Sequence, residues 1–191
     1  MSLTPSNMIA LGTKAPDFTL PTTDGTQVSL ADFAGKKALV VIFMCNHCPF
    51  VKHIGHKLAQ VAQEYLARDL GFIGISATDV DAYPDDSLEN MKKTKADIGY
   101  PFPYAYDETQ EVAKAYSAAC TPDIYVFDAN QELVYRGQFD DTRPEKGEAT
   151  GEDLTNALDS ILAGAEVNPD QKPSTGCNIK WKPGSEPEYF K

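Results

Sequence analysis

The chain has 191 residues, of which 42% are hydrophobic, 24% charged and 10% aromatic. These proportions are typical of a globular domain and exclude collagen-like, coiled-coil and disordered chains. The formal net charge is −11 and no segment gathers Lys and Arg, so nucleic acid and anionic membrane surfaces are not expected partners. The longest apolar run, residues 39–44, is far shorter than the roughly 18 residues that span a bilayer, so no membrane segment is predicted.

Residues 1–10 lack the basic and apolar regions of a secretory signal, which predicts a cytoplasmic protein. The cysteines, Cys45, Cys48, Cys120 and Cys177, are too few and too unevenly spaced for a disulfide scaffold. In a reducing compartment, a close pair such as Cys45 and Cys48 indicates catalysis or metal binding.

The first half of the chain predicts alternating strands and helices. Two short extended pieces surround the Asp-Gly turn at residues 24–25 and predict a hairpin, and residues 39–44 follow as a buried central strand. After Pro49, apolar residues recur three and four positions apart and predict a helix that ends at Gly71. We expect strands at 72–76 and 102–106, separated by a helix of about ten residues that opens at 86–89 with a capping pattern.

The second half closes the domain. Residues 107–116 predict a helix, residues 124–127 and 133–135 an antiparallel hairpin, and residues 153–163 a last helix. The fold class is therefore α/β, with a central mixed sheet and helices on both faces. We expect an N-terminal segment (1–10), one domain (11–165) and an irregular C-terminal tail that packs on the domain (166–191).

The sequence Cys45-Asn46-His47-Cys48-Pro49 places a Cys-x-x-Cys motif where a buried strand gives way to a helix. Unpaired N–H groups and the dipole at a helix N-terminus stabilise a thiolate, the species that attacks disulfides and peroxides. The second cysteine can then resolve a mixed disulfide formed on the first. An imidazole at His47 would favour the Cys45 thiolate, although an exposed loop residue is the alternative interpretation.

Residues 12–30, 43–50 and 119–128 resemble the thioredoxin superfamily, specifically its peroxiredoxin-like branch of alkyl hydroperoxide reductase and thiol-specific antioxidant type. The resemblance covers roughly residues 11–164. It implies a thioredoxin-like fold with an N-terminal β-hairpin extension, and a cis proline at Pro122 that faces the cysteine pair. It also implies that the Thr121 backbone is available to pair with an extended substrate.

The chain also departs from these families. The Pro, Thr and Arg that support a peroxidatic cysteine correspond to Val41, Cys45 and about Pro122, and the buried Asp of thioredoxins corresponds to Leu39. Peroxide reduction would therefore lack its usual hydrogen-bond donors. The thioredoxin pattern assigns the attacking thiol to Cys45 and the peroxiredoxin pattern to Cys48. We favour Cys45, which we expect to be exposed, with Cys48 as the buried resolving thiol.

Other residues have competing interpretations. One alternative is a zinc site formed by Cys45, Cys48, His53 and His56, but it would distort the helix that carries both histidines. A copper site would need a histidine far along the chain, and none is present. We therefore expect neither metal nor cofactor. The remaining cysteines, Cys120 and Cys177, are possible auxiliary thiols; Cys120 also fits a small buried residue, and Cys177 a thiol that resolves a sulfenic acid. The acidic residues between 79 and 86 predict a solvated loop.

The sequence thus predicts a thiol-disulfide oxidoreductase that acts on thiols and disulfides, in which Cys45 attacks, Cys48 resolves and His47 tunes the pair. Thr121 and Pro122 are the predicted substrate-binding residues. The alternatives are a thiol-dependent peroxidase acting at Cys48 and a non-enzymatic module that binds a thiophilic metal. A monomer and a homodimer are both compatible with the sequence.

Overall fold

The computed structural model describes residues 3–190. Strands and α-helices alternate between residues 38 and 115, as the sequence predicts. The strands are β1 (Leu3–Pro5), β2 (Thr19–Pro21), β3 (Gln27–Ser29), β4 (Ala38–Phe43), β5 (Gly71–Ser76), β6 (Tyr104–Tyr106), β7 (Cys120–Thr121), β8 (Asp123–Asp128), β9 (Leu133–Gly137) and β10 (Thr175–Asn178). The α-helices are α1 (Pro49–Leu66), α2 (Leu88–Ile98), α3 (Glu111–Ala115) and α4 (Glu152–Leu162).

The central sheet has five strands in the order β6-β5-β4-β8-β9. Strand β4 pairs in parallel with β5 and antiparallel with β8, while β5 and β6 are parallel and β8 and β9 antiparallel. All six residues of β4 are buried because helices cover both faces of the sheet. The predicted mixed α/β architecture is confirmed, and β2 and β3 form the predicted hairpin.

The two faces of β4 belong to different hydrophobic cores. Val40 and Ile42 pack with buried residues of α1, α2 and α4, whereas Val41 and Phe43 pack with α3 and the hairpin. This division follows from the two-residue repeat of a strand, which sends successive side chains to opposite faces. Within residues 3–190, no helix combines the length and the hydropathy needed to cross a membrane.

Two predicted elements begin later than expected. Strand β6 starts at Tyr104 rather than residue 102, since Pro101 and Pro103 interrupt the preceding segment. Helix α3 starts at Glu111 rather than residue 107, because Asp107 accepts the Ala113 N–H and holds a turn ahead of the helix.

The C-terminal tail, which we expected to be irregular, contains a strand. Strand β10 lies between β1 and β7 in a second sheet, with antiparallel pairing on both sides. Beyond it, Ile179 and Trp181 are buried in the core that also holds α3. Strand β10 thus lies between the N-terminal strand β1 and β7. Strand β7 leads directly into the cis peptide bond between Thr121 and Pro122.

We predict that Asp123→Asn changes how stability depends on pH. Asp123 is fully buried, and burial raises its pKa to about 7. Because the pKa is higher in the folded than in the unfolded state, the wild-type protein loses stability as pH rises from about 4 to about 7. Relative to wild type, the free energy of unfolding of the variant should therefore rise by about 2 to 3 kcal/mol between pH 5 and pH 8.

Urea unfolding at the two pH values measures this difference. The matched control is Asp170→Asn, which replaces an exposed aspartate and should leave the pH dependence of the wild type unchanged. Parallel pH profiles for Asp123→Asn and wild type would contradict the prediction.

Candidate functional site

The cysteine pair lies where β4 ends and α1 begins. Strand β4 ends at Phe43, and the Met44 N–H donates to the Ile75 carbonyl of β5, which fixes the start of the connecting loop. Cys48 is the N-cap residue of α1 and Pro49 its first residue, a position where the missing proline N–H costs nothing. The loop is therefore anchored at both ends.

The sulfur atoms are enclosed rather than exposed. Cys45 is 2% exposed and Cys48 0%. The Cys45 Sγ lies 3.5 Å from the Thr121 Oγ1, and the Cys48 Sγ lies 3.1 Å from the Thr121 carbonyl oxygen. The expectation that Cys45 is exposed is therefore wrong in this structure, because Thr121 lies against both sulfurs.

The surroundings of the two thiols shift their pKa values in opposite directions. The neighbouring Cys45 thiol lowers the pKa of Cys48 to about 5; Thr121, Cys177 and the backbone at Val51 act in the same sense, while burial opposes them. The pKa of Cys45 is raised by its bond to Cys48, by burial and by the Asp86 charge. The Cys48 thiol donates to the Thr121 carbonyl and to the Cys177 Sγ, and these bonds favour its protonated form, but the net shift of its pKa is downward. The electrostatics therefore favour a thiolate on Cys48.

Asp86 holds the Cys-x-x-Cys loop from the opposite side. It is 0% exposed, and its Oδ1 accepts the N–H of Asn46 at 2.6 Å and that of His47 at 3.2 Å. Its Oδ2 pairs with His47 Nδ1. His47 is thus attached to a buried carboxylate, and its ring stacks on Tyr83 with the centroids 5.1 Å apart.

Asp86 is buried, although the sequence predicts that it lies in a solvated loop. Asp81 and Asp85 are exposed, as expected of a solvated loop, but Asp79 and Asp86 are buried. The capping pattern at 86–89 is real, since Ser87 caps α2 by accepting the Asn90 N–H. The capping pattern does not indicate the second role of Asp86. Its side chain accepts hydrogen bonds from Asn46 and His47, which lie 40 and 39 positions earlier in the chain.

Asn46 and Tyr104 complete the anchoring of the loop. The Asn46 Nδ2 donates to the Asp85 carbonyl at 2.9 Å, and the Tyr104 hydroxyl donates to the Asn46 Oδ1 at 3.2 Å. Each intervening residue of the motif is therefore bonded to another element. Neither contact could be found from the sequence, because the partners are separated by 39 and 58 residues.

One group of metal-ligating side chains occurs in the part of the chain that the structure describes. Ligand atoms of Cys45, His47 and Asp86 all lie within 4.8 Å of one another. His53 does not join this group, and its Nε2 bonds instead to the Thr142 Oγ1 at 2.8 Å. A soft ion bound here would have to compete with the hydrogen bonds that Asp86 already makes.

The other predicted residues occupy different positions. Thr121 and Pro122 form a cis peptide against the pair, but Thr121 already pairs with Cys177 of β10, so its backbone is not open to a substrate as expected. Cys120 is fully buried, burial raises its pKa, and its Sγ lies 3.6 Å from the Pro122 carbonyl oxygen. Cys177 lies against the pair: its Sγ is 3.1 Å from the Cys48 Sγ.

The profile of the AhpC/TSA family matches residues 11–136. The chain belongs to the AhpC/TSA family. A peroxiredoxin of Thermoplasma volcanium is 25% identical over 186 residues, which cover 93% of this chain and 84% of that protein. The thiol-disulfide oxidoreductase ResA of Geobacillus thermodenitrificans is 24% identical over 164 residues, covering 83% and 82%.

Solved structures share the fold of this chain. An uncharacterised conserved protein of Geobacillus kaustophilus is 54% identical, with a TM-score of 0.93 and coverage of 96% of this chain and 98% of that chain. The thioredoxin domain of a Bacteroides vulgatus thiol-disulfide oxidoreductase is 20% identical, with a TM-score of 0.63 over 81% of this chain and 99% of that chain, and shows the fold alone. The fold is thioredoxin-like, and this member of the AhpC/TSA family is an oxidoreductase with a redox thiol function.

We predict that Cys48 is alkylated by iodoacetamide at lower pH than Cys45. The pKa of about 5 places Cys48 in the thiolate form at neutral pH, whereas Cys45 keeps its proton. Mass spectrometry that separates the two sites should give a midpoint near pH 5 for Cys48 and an alkaline midpoint for Cys45. The midpoint is the quantity to compare, since burial slows both reactions. A lower midpoint for Cys45 would restore the thioredoxin pattern.

We further predict that Asp86→Asn lowers the pKa of Cys45. The variant removes the negative charge that raises this pKa, while its amide oxygen can still accept the N–H groups of Asn46 and His47. The alkylation midpoint of Cys45 should fall but remain alkaline, because Cys48 and burial still raise it. Asp85→Asn, at the exposed neighbouring residue, is the control and should leave the midpoint in place.

Proposed function

We propose that Cys45 and Cys48 cycle between a dithiol and a disulfide by exchange with disulfides or dithiols of other molecules. The observation that carries this proposal is that both sulfurs lie against Thr121 at the N-terminus of α1, Cys45 at 3.5 Å from its hydroxyl and Cys48 at 3.1 Å from its carbonyl, where the surroundings lower the pKa of Cys48. A thiolate beside a second thiol is the arrangement that disulfide exchange requires. Cys48 replaces Cys45 as the attacking group, because the pKa of Cys48 is lowered and that of Cys45 is raised.

The reductive half of the cycle has two steps. The Cys48 thiolate attacks one sulfur of a substrate disulfide, the substrate S–S bond breaks, and the first substrate sulfur leaves as a thiolate. Cys45 then attacks the Cys48 sulfur of the mixed disulfide, and its proton passes to the second substrate sulfur as that sulfur leaves. The products are the Cys45–Cys48 disulfide and a reduced substrate with one thiol and one thiolate, which takes a proton from solvent. The reverse sequence oxidises a dithiol.

His47 and Asp86 act as positioning residues in this proposal. Their contact and the two backbone hydrogen bonds to Asp86 hold the loop in one conformation, so the distance between the sulfurs is set before a substrate arrives. The Asp86 charge also keeps the proton on Cys45 until the resolving step. His47 therefore influences the pair through the loop and through Asp86.

Peroxide reduction at Cys48 is the second candidate, supported by the Cys48 thiolate and by the peroxiredoxins among the relatives. In that reaction Cys48 would become a sulfenic acid and one peroxide oxygen would leave as water or an alcohol. The leaving oxygen needs hydrogen-bond donors, yet Val41 and Cys45 occupy positions that carry such support in peroxiredoxins. Disulfide exchange therefore remains the first proposal, and a cytoplasmic location is part of it.

The test is the reduction potential of the pair in glutathione buffers, read by thiol trapping and mass spectrometry. We expect a Cys45–Cys48 disulfide with a potential between about −120 and −270 mV, the span of known exchange proteins. Cys45→Ser and Cys48→Ser should each abolish that disulfide and the reduction of a model disulfide. Cys120→Ser, at a buried cysteine that bonds to Pro122, is the matched control and should retain both.

A second measurement, with peroxide as the oxidant, distinguishes disulfide exchange from peroxide reduction. The reduced protein is treated with hydrogen peroxide and a sulfenic acid probe. Labelling of Cys48 and turnover with a thiol reductant, without a measurable potential for the pair, would favour the peroxidase.

A further inference from the structure

The tail strand, residues 175–178 (β10), occupies the edge of β7 at which an extended substrate would pair. It runs antiparallel to β7, with Cys177 opposite Thr121 and Asn178 opposite Cys120. Backbone pairing at an open strand edge is a general way to hold an extended polypeptide. In this chain the polypeptide at that edge is the chain's own tail.

Gly176 allows the tail strand to approach the cis peptide closely. A Cβ atom at this position would lie 2.0 Å from the Thr121 carbonyl oxygen and 2.8 Å from the Thr121 carbonyl carbon. No side chain fits at that distance, and the atoms in the way belong to the backbone. The tail strand therefore reaches its position only because residue 176 is a glycine.

Further contacts hold the tail strand on both sides. On one side Leu3 of β1 lies opposite Cys177, and the Ser6 N–H donates to the Ser174 carbonyl at 2.8 Å. Beyond the strand, the Ile179 N–H donates to the Ala119 carbonyl at 3.2 Å. The register of the tail strand, and with it the position of Cys177, is therefore set by several independent bonds.

This register brings a third sulfur to the pair. The Cys177 Sγ lies 3.1 Å from the Cys48 Sγ, and both residues are at most 1% exposed. A disulfide has a sulfur-sulfur distance of about 2.05 Å, so a movement of about 1 Å would join them. Cys120, the other buried cysteine of this region, instead has its sulfur 3.6 Å from the Pro122 carbonyl oxygen.

We propose that Cys177 is a third redox thiol of this site and that the tail strand serves as a built-in substrate strand, which exchanges with the Cys45–Cys48 disulfide to give a Cys48–Cys177 disulfide. This inference rests on the proposed function, since it takes the Cys45–Cys48 disulfide as its starting point. It adds the identity of the first strand with which that disulfide reacts.

The exchange balances without an external oxidant. The Cys177 sulfur attacks the Cys48 Sγ, the Cys45–Cys48 bond breaks, and the electron pair of that bond remains on Cys45. The proton of Cys177 passes to the Cys45 sulfur as that sulfur leaves. One disulfide is lost and one is formed, so the oxidation state of the protein is unchanged.

The two oxidised forms differ in access to the site. In the Cys48–Cys177 form the tail strand is covalently attached and covers the Thr121 edge. In the Cys45–Cys48 form the tail strand is held by noncovalent bonds alone, so a polypeptide substrate can displace it from that edge. The exchange would thus set the fraction of oxidised protein that accepts a polypeptide.

The first experiment uses the full-length Cys45→Ser variant, oxidised with oxidised glutathione and digested with trypsin without reduction. Cys48 then lies on the peptide 38–52, Cys120 on 115–136 and Cys177 on 147–180, so each possible bridge has its own mass. We expect a bridge between 38–52 and 147–180. Adding Cys177→Ser should replace it with a glutathione adduct on Cys48, whereas adding Cys120→Ser, the matched control, should leave it intact.

The second experiment removes the close approach without touching a sulfur. Gly176→Ala in the Cys45→Ser background should slow formation of the Cys48–Cys177 bridge about tenfold or more, since it displaces the tail strand from Thr121. In an otherwise wild-type chain, the same substitution should leave the Cys45–Cys48 disulfide able to form. Circular dichroism and thermal unfolding of both variants show whether the fold is retained.

The wild-type protein tests the exchange itself. After oxidation by one disulfide equivalent, it should give both the internally bridged peptide 38–52 and the peptide bridged to 147–180, and Cys177→Ser should give the first alone. A Cys45–Cys48 disulfide with no bridge to Cys177 in any variant would overturn this inference and leave the proposed function standing. A bridge to Cys177 without any Cys45–Cys48 disulfide would overturn the proposed function instead.

Discussion

The N-terminus of α1 lies against the cis peptide that follows β7, and the remaining features of the site depend on this contact. It brings the Thr121 carbonyl to 3.1 Å from the Cys48 sulfur and the Thr121 hydroxyl to 3.5 Å from the Cys45 sulfur. Both elements are extensions of the central sheet, since β4 leads into the motif and β8 starts directly after Pro122. Because β4 and β8 are paired along six residues, the sheet itself sets the distance between the cysteines and the proline.

The site is closed by contacts from three separate parts of the chain. Asp86 binds the motif loop from the segment before α2, Tyr104 of β6 bonds to Asn46, and the tail strand covers the edge of β7. Buried polar groups that are paired in this way restrict a loop to one conformation. The same enclosure excludes solvent from both thiols, so any large substrate must first displace one of the covering segments.

The electrostatics of the pair follow from where each sulfur lies relative to the helix. Cys48 is at the N-cap, where the Cys45 thiol and other neighbouring groups lower its pKa although burial opposes ionisation. Cys45 precedes the helix and lies near the Asp86 carboxylate, which disfavours a second negative charge. The pKa values of two cysteines separated by two residues are thus shifted in opposite directions for a positional reason. In our proposal the attacking thiol is therefore Cys48 and not Cys45, the thiol that the thioredoxin pattern assigns.

The order of elements and the motif itself could be predicted from the sequence, because both are encoded by residues close together in the chain. The apolar run 39–44, the helical period after Pro49 and the spacing of Cys45 and Cys48 each carry a local signal. Pro122 could be placed opposite the pair through a family resemblance, and its cis peptide is present. The late starts of β6 and α3 reflect prolines and a side-chain turn that compete with regular structure.

The remainder was decided by tertiary structure. Asp86 occupies a capping pattern, and its bonds to Asn46 and His47 join segments about 40 residues apart, beyond the reach of any local pattern. Cys177 lies 129 residues from Cys48 in a tail without periodicity, so only the pairing of β10 with β7 reveals that their sulfurs meet. Sequence determines local conformation and chemistry through neighbouring residues, whereas burial, pKa and long-range contacts depend on which distant segments the folded sheet brings together.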